Sequence, residues 1–179
     1  MMTPSRVGST VRWTLLCALY AALLVGCELA STATPAPTDQ PPPSGVTGVV
    51  TRVIDGDTSD VQIDGAGYRV RYIGINTPER DEPCYQEATV ANAALVENQT
   101  VTLVRDVSET DPYGRLLYYV YVGDTFVNAE LVAQGYAEAV VYPPDTAYAD
   151  TFASLEASAR AAGWGCHPTG IFDDGSTTR

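Results

Sequence analysis

The chain has 179 residues, room for one ordinary domain and a short appendage, and shows no repeat of solenoid period. Its apolar share of 45% is that of a globular protein, but the net charge of −12, with every basic residue an Arg, runs against the basic footprint that polyanions favour. One His, His167, and no CxxC or Cys/His spacing exclude ordinary zinc-finger sites and His-based general-base catalysis.

In chain order, residues 1–26 read as an export signal. Arg6 and Arg12 supply a positive start, and Trp13 to Val25 is apolar but short for a bilayer span. Leu24-Val25-Gly26-Cys27 resembles the lipobox of bacterial lipoproteins. That resemblance implies cleavage behind Gly26, lipid on Cys27, and an extracytoplasmic protein anchored to the bacterial membrane or cell surface. The alternative is a plain secretory signal with a chance Cys. Residues 27–45 are a Pro-, Thr- and Ser-rich tether with little to bury, 46–172 the folded domain, and 173–179 a disordered tail. Cys17 leaves with the signal and Cys27 takes the lipid, so Cys84 and Cys166 are expected to pair outside the cell. In the loop-entropy description that pair restricts the unfolded chain by about 4 kcal/mol.

Within the domain, Val46 to Ile54 alternates and is rich in β-branched residues, and Asp55-Gly56-Asp57-Thr58 follows as a turn. A short strand, Asp60 to Ile63, turns at Asp64-Gly65 into a strand over Tyr68 to Ile75. Its alternation predicts Tyr68, Val70 and Tyr72 on one face and Arg69, Arg71, Ile73 and Ile75 on the other. Helical spacing over Tyr85 to Asn98 is followed by strands at Val101 to Arg105 and Leu116 to Val122. Asn128 is a candidate cap for a short helix ending before Gly135, and Thr146 to Ala162 places Tyr148, Phe152, Leu155 and Ala159 on one stripe. Five strands with three interspersed helices predict an α+β domain, a five-stranded OB-fold β-barrel with helical decoration.

Four clusters carry chemistry-bearing side chains. Asp55-Gly56-Asp57-Thr58 offers two carboxylates around a Gly that lets the backbone fold tightly about a hard cation, although Asp-Gly equally marks a plain turn. Arg71, among apolar neighbours, needs an anionic partner, which is either a structural carboxylate or a substrate phosphate. Asn76-Thr77-Pro78-Glu79 adds oxygen donors and a carboxylate able to accept a proton from water; alone it is also an ordinary Pro turn. Asp111-Pro112-Tyr113-Gly114-Arg115 sets a second Arg beside an aromatic ring, and alone it is equally a surface hairpin.

Together these segments resemble the staphylococcal nuclease family: VIDGDT at 53–58, RYIGINTPE at 71–79, DPYGR at 111–115 and VNAELVAQGYA at 127–137, in the family's order. The resemblance covers about residue 46 to Trp164 and implies an OB-type barrel with three helices and one bound calcium ion. It implies Asp57, Asn76 and the Thr77 carbonyl as metal ligands with Asp55 as a supporting carboxylate. Arg71 and Arg115 would be phosphate clamps, Glu79 the group that orients or deprotonates water, and Tyr113 a neighbour of the terminal phosphate. A further substrate-side Tyr matches Tyr142, where the spacing is one residue short. The implied reaction is attack of water on phosphorus in DNA and RNA, single strands included, leaving 3′-phosphates. Two departures are visible. Asn76 stands where the family's best-known member has Asp, which lowers the expected calcium affinity, and Pro112 with the absence of Lys removes basic groups near the substrate. The acidic surface and Asn76 motivate the alternative, a non-catalytic OB-fold module binding nucleic acid or protein; a monomer is the default expectation.

Overall fold

The structure is a computed structural model that describes residues 44–173 and Gly175. The expected signal, Cys27 and all but the end of the tether therefore lie outside the described residues.

Three strands open the domain: β1 (Val46–Val53), β2 (Thr58–Ile63) and β3 (Ala66–Tyr72). β1 and β2 pair antiparallel around the Asp55–Asp57 turn, and β2 and β3 join through Asp64 and Gly65, both at positive φ (49° and 85°), the backbone that Asp-Gly favours in a tight hairpin. A two-residue β4 (Ile75–Asn76), the helix α1 (Tyr85–Val96), β5 (Thr100–Val104) and β6 (Leu116–Val122) follow. The remaining elements are β7 (Thr125–Phe126), α2 (Val127–Ala133), β8 (Glu138–Ala139) and α3 (Ala149–Ala162). β5 pairs with β1 and β6 with β5, and β6 then meets β3 in parallel, Val70 opposite Leu116 and Tyr72 opposite Tyr118. The pairing closes a five-stranded barrel, so the expected OB-type barrel with three helices is the observed fold.

The core follows from the alternation. Val50, Val61, Val70, Tyr72, Val101, Leu103 and Val120 point into the barrel and are essentially inaccessible. On the side of α3, Tyr119, Phe126 and Tyr148 pack edge to face, with Tyr119 and Tyr148 ring centroids 4.7 Å apart, and Phe152 lies tilted against all three. The α3 stripe is confirmed: Phe152 and Ala159 are buried, Tyr148 and Leu155 pack against the core, and Gly163 ends the helix at φ 65°.

Three expectations need correction. The strand predicted to run to Ile75 stops at Tyr72, because Gly74 turns at φ 77° where any Cβ would meet the Phe152 ring at 2.7 Å. The alternation breaks there, and Ile73 and Ile75 join Val70 and Tyr72 in the core instead of facing the other way. Asn128 is not the cap of α2, which Phe126 precedes; it is buried inside the first turn, donating to the Ile73 carbonyl and accepting from the Val120 N–H, both at 2.9 Å. Asp173, expected to open the tail, instead closes a 3₁₀ turn and pairs with Arg160. Cys84 and Cys166 are disulfide-bonded across 82 residues, as predicted. The bond ties the loop after Glu79 to the segment behind α3.

Candidate active site

The site grows from the β1–β2 turn. Gly56 packs so closely on Thr77 that a Cβ would lie 2.7 Å from the Thr77 side chain. That approach delivers Asp57, only 5% exposed, to the start of the loop after β4. One oxygen, Oδ2, accepts the Thr77 N–H (2.9 Å) and hydroxyl (3.1 Å). The other, Oδ1, lies 3.1 Å from Nε of Arg71 and accepts the Thr58 hydroxyl at 3.1 Å. Asp55 accepts the Asp57 N–H at 3.1 Å, and its own carbonyl is held by the buried Asn92 side chain at 2.8 Å. Burial, and then the Asp57 charge, push the Asp55 carboxyl up to about 6.

Arg71 is largely buried, with 11% of its side chain exposed, and its partner is structural in this state. Nη1 donates to the Tyr72 and Ile75 carbonyls at 2.8 Å each, and Nη2 donates to Oδ1 of Asn76 at 3.2 Å. The oxygens of Asp57 and Asn76 therefore converge on one cationic group. Asn76, 1% exposed, donates its amide N–H to Glu138 at 2.9 Å.

Glu79 stands on the exposed loop after β4, near enough to feel the charges of Asp57, Arg71 and Arg115. Loss of hydration, and then the Asp57 charge, raise its carboxyl above the ordinary value, while Arg71 and Arg115 pull it back. Arg115 is organised by Asp111, whose carboxylate accepts the Arg115 N–H (2.9 Å), the Tyr113 N–H (2.9 Å) and the Arg115 Nε–H. Burial alone would raise Asp111, but these donors outweigh it and hold the carboxyl below the usual range. Tyr113 is 85% exposed, with the Arg115 guanidinium 5.6 Å from its ring centre. Arg71, Tyr113, Arg115 and Tyr142 line one cleft of ≈ 470 Å³. Burial raises the Tyr142 hydroxyl, and the charges of Arg71, Glu138 and Asp57 all reach it. A second recess of ≈ 610 Å³, over Arg80 to Glu87, contains none of these groups and is an open polar hollow.

Every site residue named from the sequence, apart from Cys27, thus lies at this centre, at its cleft or in the disulfide behind its loop. Sequence reasoning missed three: Asp111 as the anchor of Arg115, Asn92 beneath Asp55, and Glu138 behind Asn76. Asp111 lay within a quoted motif. Asn92 and Glu138 gave no local signal.

The donors suit a hard cation. Asp57, Asp55 and the Asn76 amide would offer hard oxygen atoms, and burial, with the Asp57 charge second, makes an ionised Asp55 costly without a cation. Among the described residues no three His, Cys, Asp or Glu side chains form a metal-holding group.

A closed OB-type barrel with Asp57 paired to Arg71 at the wall of a cleft that Arg71 and Arg115 both line defines the class of protein. Comparison with known proteins is in accord. The family described as Staphylococcal nuclease homologue matches residues 69–166, and the chain belongs to that family. The match begins after Asp55 and Asp57, which the hydrogen bonds from Thr77 to Asp57 bring into the same site. A thermonuclease of Staphylococcus intermedius is 42% identical over 106 residues, 56% of this chain and 63% of that protein. A thermonuclease of Staphylococcus hyicus is 37% identical over 117 residues, covering 62% of this chain and 69% of the relative. An endonuclease of Bacillus subtilis (strain 168) is 40% identical over 118 residues, covering 62% of this chain and 56% of the relative.

Proposed function

We propose that this domain is a nuclease that hydrolyses phosphodiester bonds of DNA and RNA with one calcium ion, leaving 3′-phosphates. The observation that carries the reading is the convergence of Asp57, Asn76 and Arg71 beside a cleft that also presents Arg115, with Glu79 within electrostatic reach. The names of the relatives, thermonuclease and endonuclease, support it.

Asp57, the Asn76 amide oxygen and the Thr77 carbonyl would hold the calcium, with Asp55 as the supporting carboxylate. When bound, calcium adds positive charge against the phosphoryl oxygens. Arg115, with Nε on Asp111, has its remaining N–H donors to turn to a phosphate in the cleft. Arg71 contributes charge from within the wall, since its Nη1 is engaged by two carbonyls. Glu79 takes a proton from the attacking water; the water oxygen bonds to phosphorus as the P–O5′ bond breaks, and the 5′ oxygen leaves as a hydroxyl by taking a proton from solvent, to which Glu79 later returns its own. Tyr113 and Tyr142, which both line the cleft, would contact the strand. With few surface cations to release counterions, binding is weak and salt-tolerant.

The sequence of residues 1–45 supports export and lipid on Cys27, which would hold the enzyme at the surface; a monomer remains the default expectation. A lipid-labelling experiment with Cys27→Ser tests the anchor. The activity is tested by incubating single-stranded DNA with the full chain in calcium and in EDTA, with end analysis of the products. Calcium-dependent 3′-phosphate ends are expected. A folded protein with no cleavage at millimolar calcium would favour the non-catalytic binding module.

A further inference from the structure

Asn76 and Glu138 sit directly opposite each other in the β4–β8 ladder. The ladder is pinned from both sides: the Val140 N–H donates to the Gly74 carbonyl at 3.0 Å, and the Ala139 N–H to Glu156 of α3 at 3.0 Å. Both side chains are buried, Asn76 at 1% and Glu138 at 7% exposure, and the Asn76 amide N–H meets Oε1 of Glu138 at 2.9 Å. The amide carries an oxygen on one side and an NH₂ on the other, so its two orientations are chemically different.

Its neighbours choose between them. Toward Glu138 lies a carboxylate, which offers only acceptors, and toward Arg71 lies a guanidinium, which offers only donors. The observed orientation satisfies both, and the reverse would set oxygen against carboxylate and NH₂ against guanidinium. In the observed one, Oδ1 is delivered to the group that also holds Oδ1 of Asp57. We propose that Glu138 is a positioning residue for the cation site, fixing the Asn76 amide with its oxygen toward the Arg71 guanidinium that also holds Asp57. This rests on the reading of Asp57 and Asn76 as cation donors.

A consequence is specific to this chain. Counting ligand charge, Asn76→Asp should strengthen calcium binding. Here it would face a second carboxylate across a buried 2.9 Å contact, where two carboxylates cannot both stay ionised at low cost. Asn at 76 and Glu at 138 therefore form one unit, and position 76 accepts a charge only when 138 gives one up.

The test is a double-mutant cycle on the full chain with Asn76→Asp, Glu138→Gln and the pair, measuring calcium binding by calorimetry and thermal unfolding in EDTA. Asn76→Asp alone is expected to bind calcium no tighter than the parent and to melt lower in EDTA. Adding Glu138→Gln should restore the melting temperature and bring calcium binding at least tenfold tighter than Asn76→Asp alone. Glu138→Gln alone, which no longer dictates the amide orientation, should bind several-fold more weakly than the parent. Additive effects on binding, or tighter binding by Asn76→Asp alone, would overturn the proposal. If none of the four proteins binds calcium, the cation reading falls and the positioning role with it, and the EDTA cycle then reports only on the buried pair.

Discussion

Replacing Asp55 by Asn should stabilise the metal-free protein and weaken its response to calcium. Burial, with the Asp57 carboxylate second, raises the Asp55 carboxyl from 3.8 to about 6. An acid raised in the folded state holds its proton more tightly there than in the unfolded chain. Its contribution is therefore intact below pH 3.8 and is lost as pH rises through about 6. At about 1.4 kcal/mol per pH unit the loss approaches ~3 kcal/mol at neutral pH, and the solvent-facing side of this half-buried group brings it to ~1–3 kcal/mol. Asn keeps the acceptor that receives the Asp57 N–H at 3.1 Å, so the turn itself survives. Thermal unfolding followed by circular dichroism in EDTA should show Asp55→Asn melting about 3–9 °C above the parent at neutral pH, with the gap closing toward pH 4. In calcium the parent should gain more than the variant, because the cation relieves the charge that the variant lacks. A variant that melts below the parent in EDTA at neutral pH, or a gain independent of pH, would refute the reasoning.

Other consequences follow from the same geometry. Asp111→Ala frees Arg115 from its Nε partner and should cut kcat/KM by roughly tenfold or more, with a lowered melting temperature because the turn loses its N–H acceptor, read by steady-state cleavage of a labelled oligonucleotide on the folded variant. Because loss of hydration raises the Glu79 carboxyl above its ordinary value and it must be ionised to accept a proton, activity should fall on the acid side with a midpoint above that of a free Glu, and Glu79→Gln should abolish that limb of the pH–rate profile. Alkylation without reductant should leave the mass of the folded domain unchanged, and reduction should lower its stability by about 4 kcal/mol, measured by urea unfolding.

How much of this was legible depends on the distance over which each contact acts. The barrel strands and the α3 stripe were readable because burial there follows period 2 or 3.6, as with Val70 and Tyr72 or Phe152 and Ala159. The motif residues were readable because each sits on a turn whose chemistry is local, such as Asp111, which accepts the N–H groups of Tyr113 and Arg115 two and four residues on. The break at Gly74 was hidden because its cause is the Phe152 ring, which only the folded chain brings near. Asn128 looked like a cap because Asn favours caps, but contacts with Ile73 and Val120 outweighed that preference. Glu138 was invisible as a site residue, since 62 positions separate it from Asn76 and the two-residue ladder that joins them carries no periodic signal.

The central claim is that phosphodiester hydrolysis takes place where Asp57, Arg71, Glu79 and Arg115 meet. The most direct test is calcium-dependent cleavage of single-stranded DNA by the full chain alongside Glu79→Ala and Arg115→Ala, each first shown to be folded. The account predicts that both substitutions reduce the rate by about a hundredfold or more while EDTA abolishes it. Cleavage that persists at parental rates in both folded variants would place the chemistry elsewhere and contradict the account.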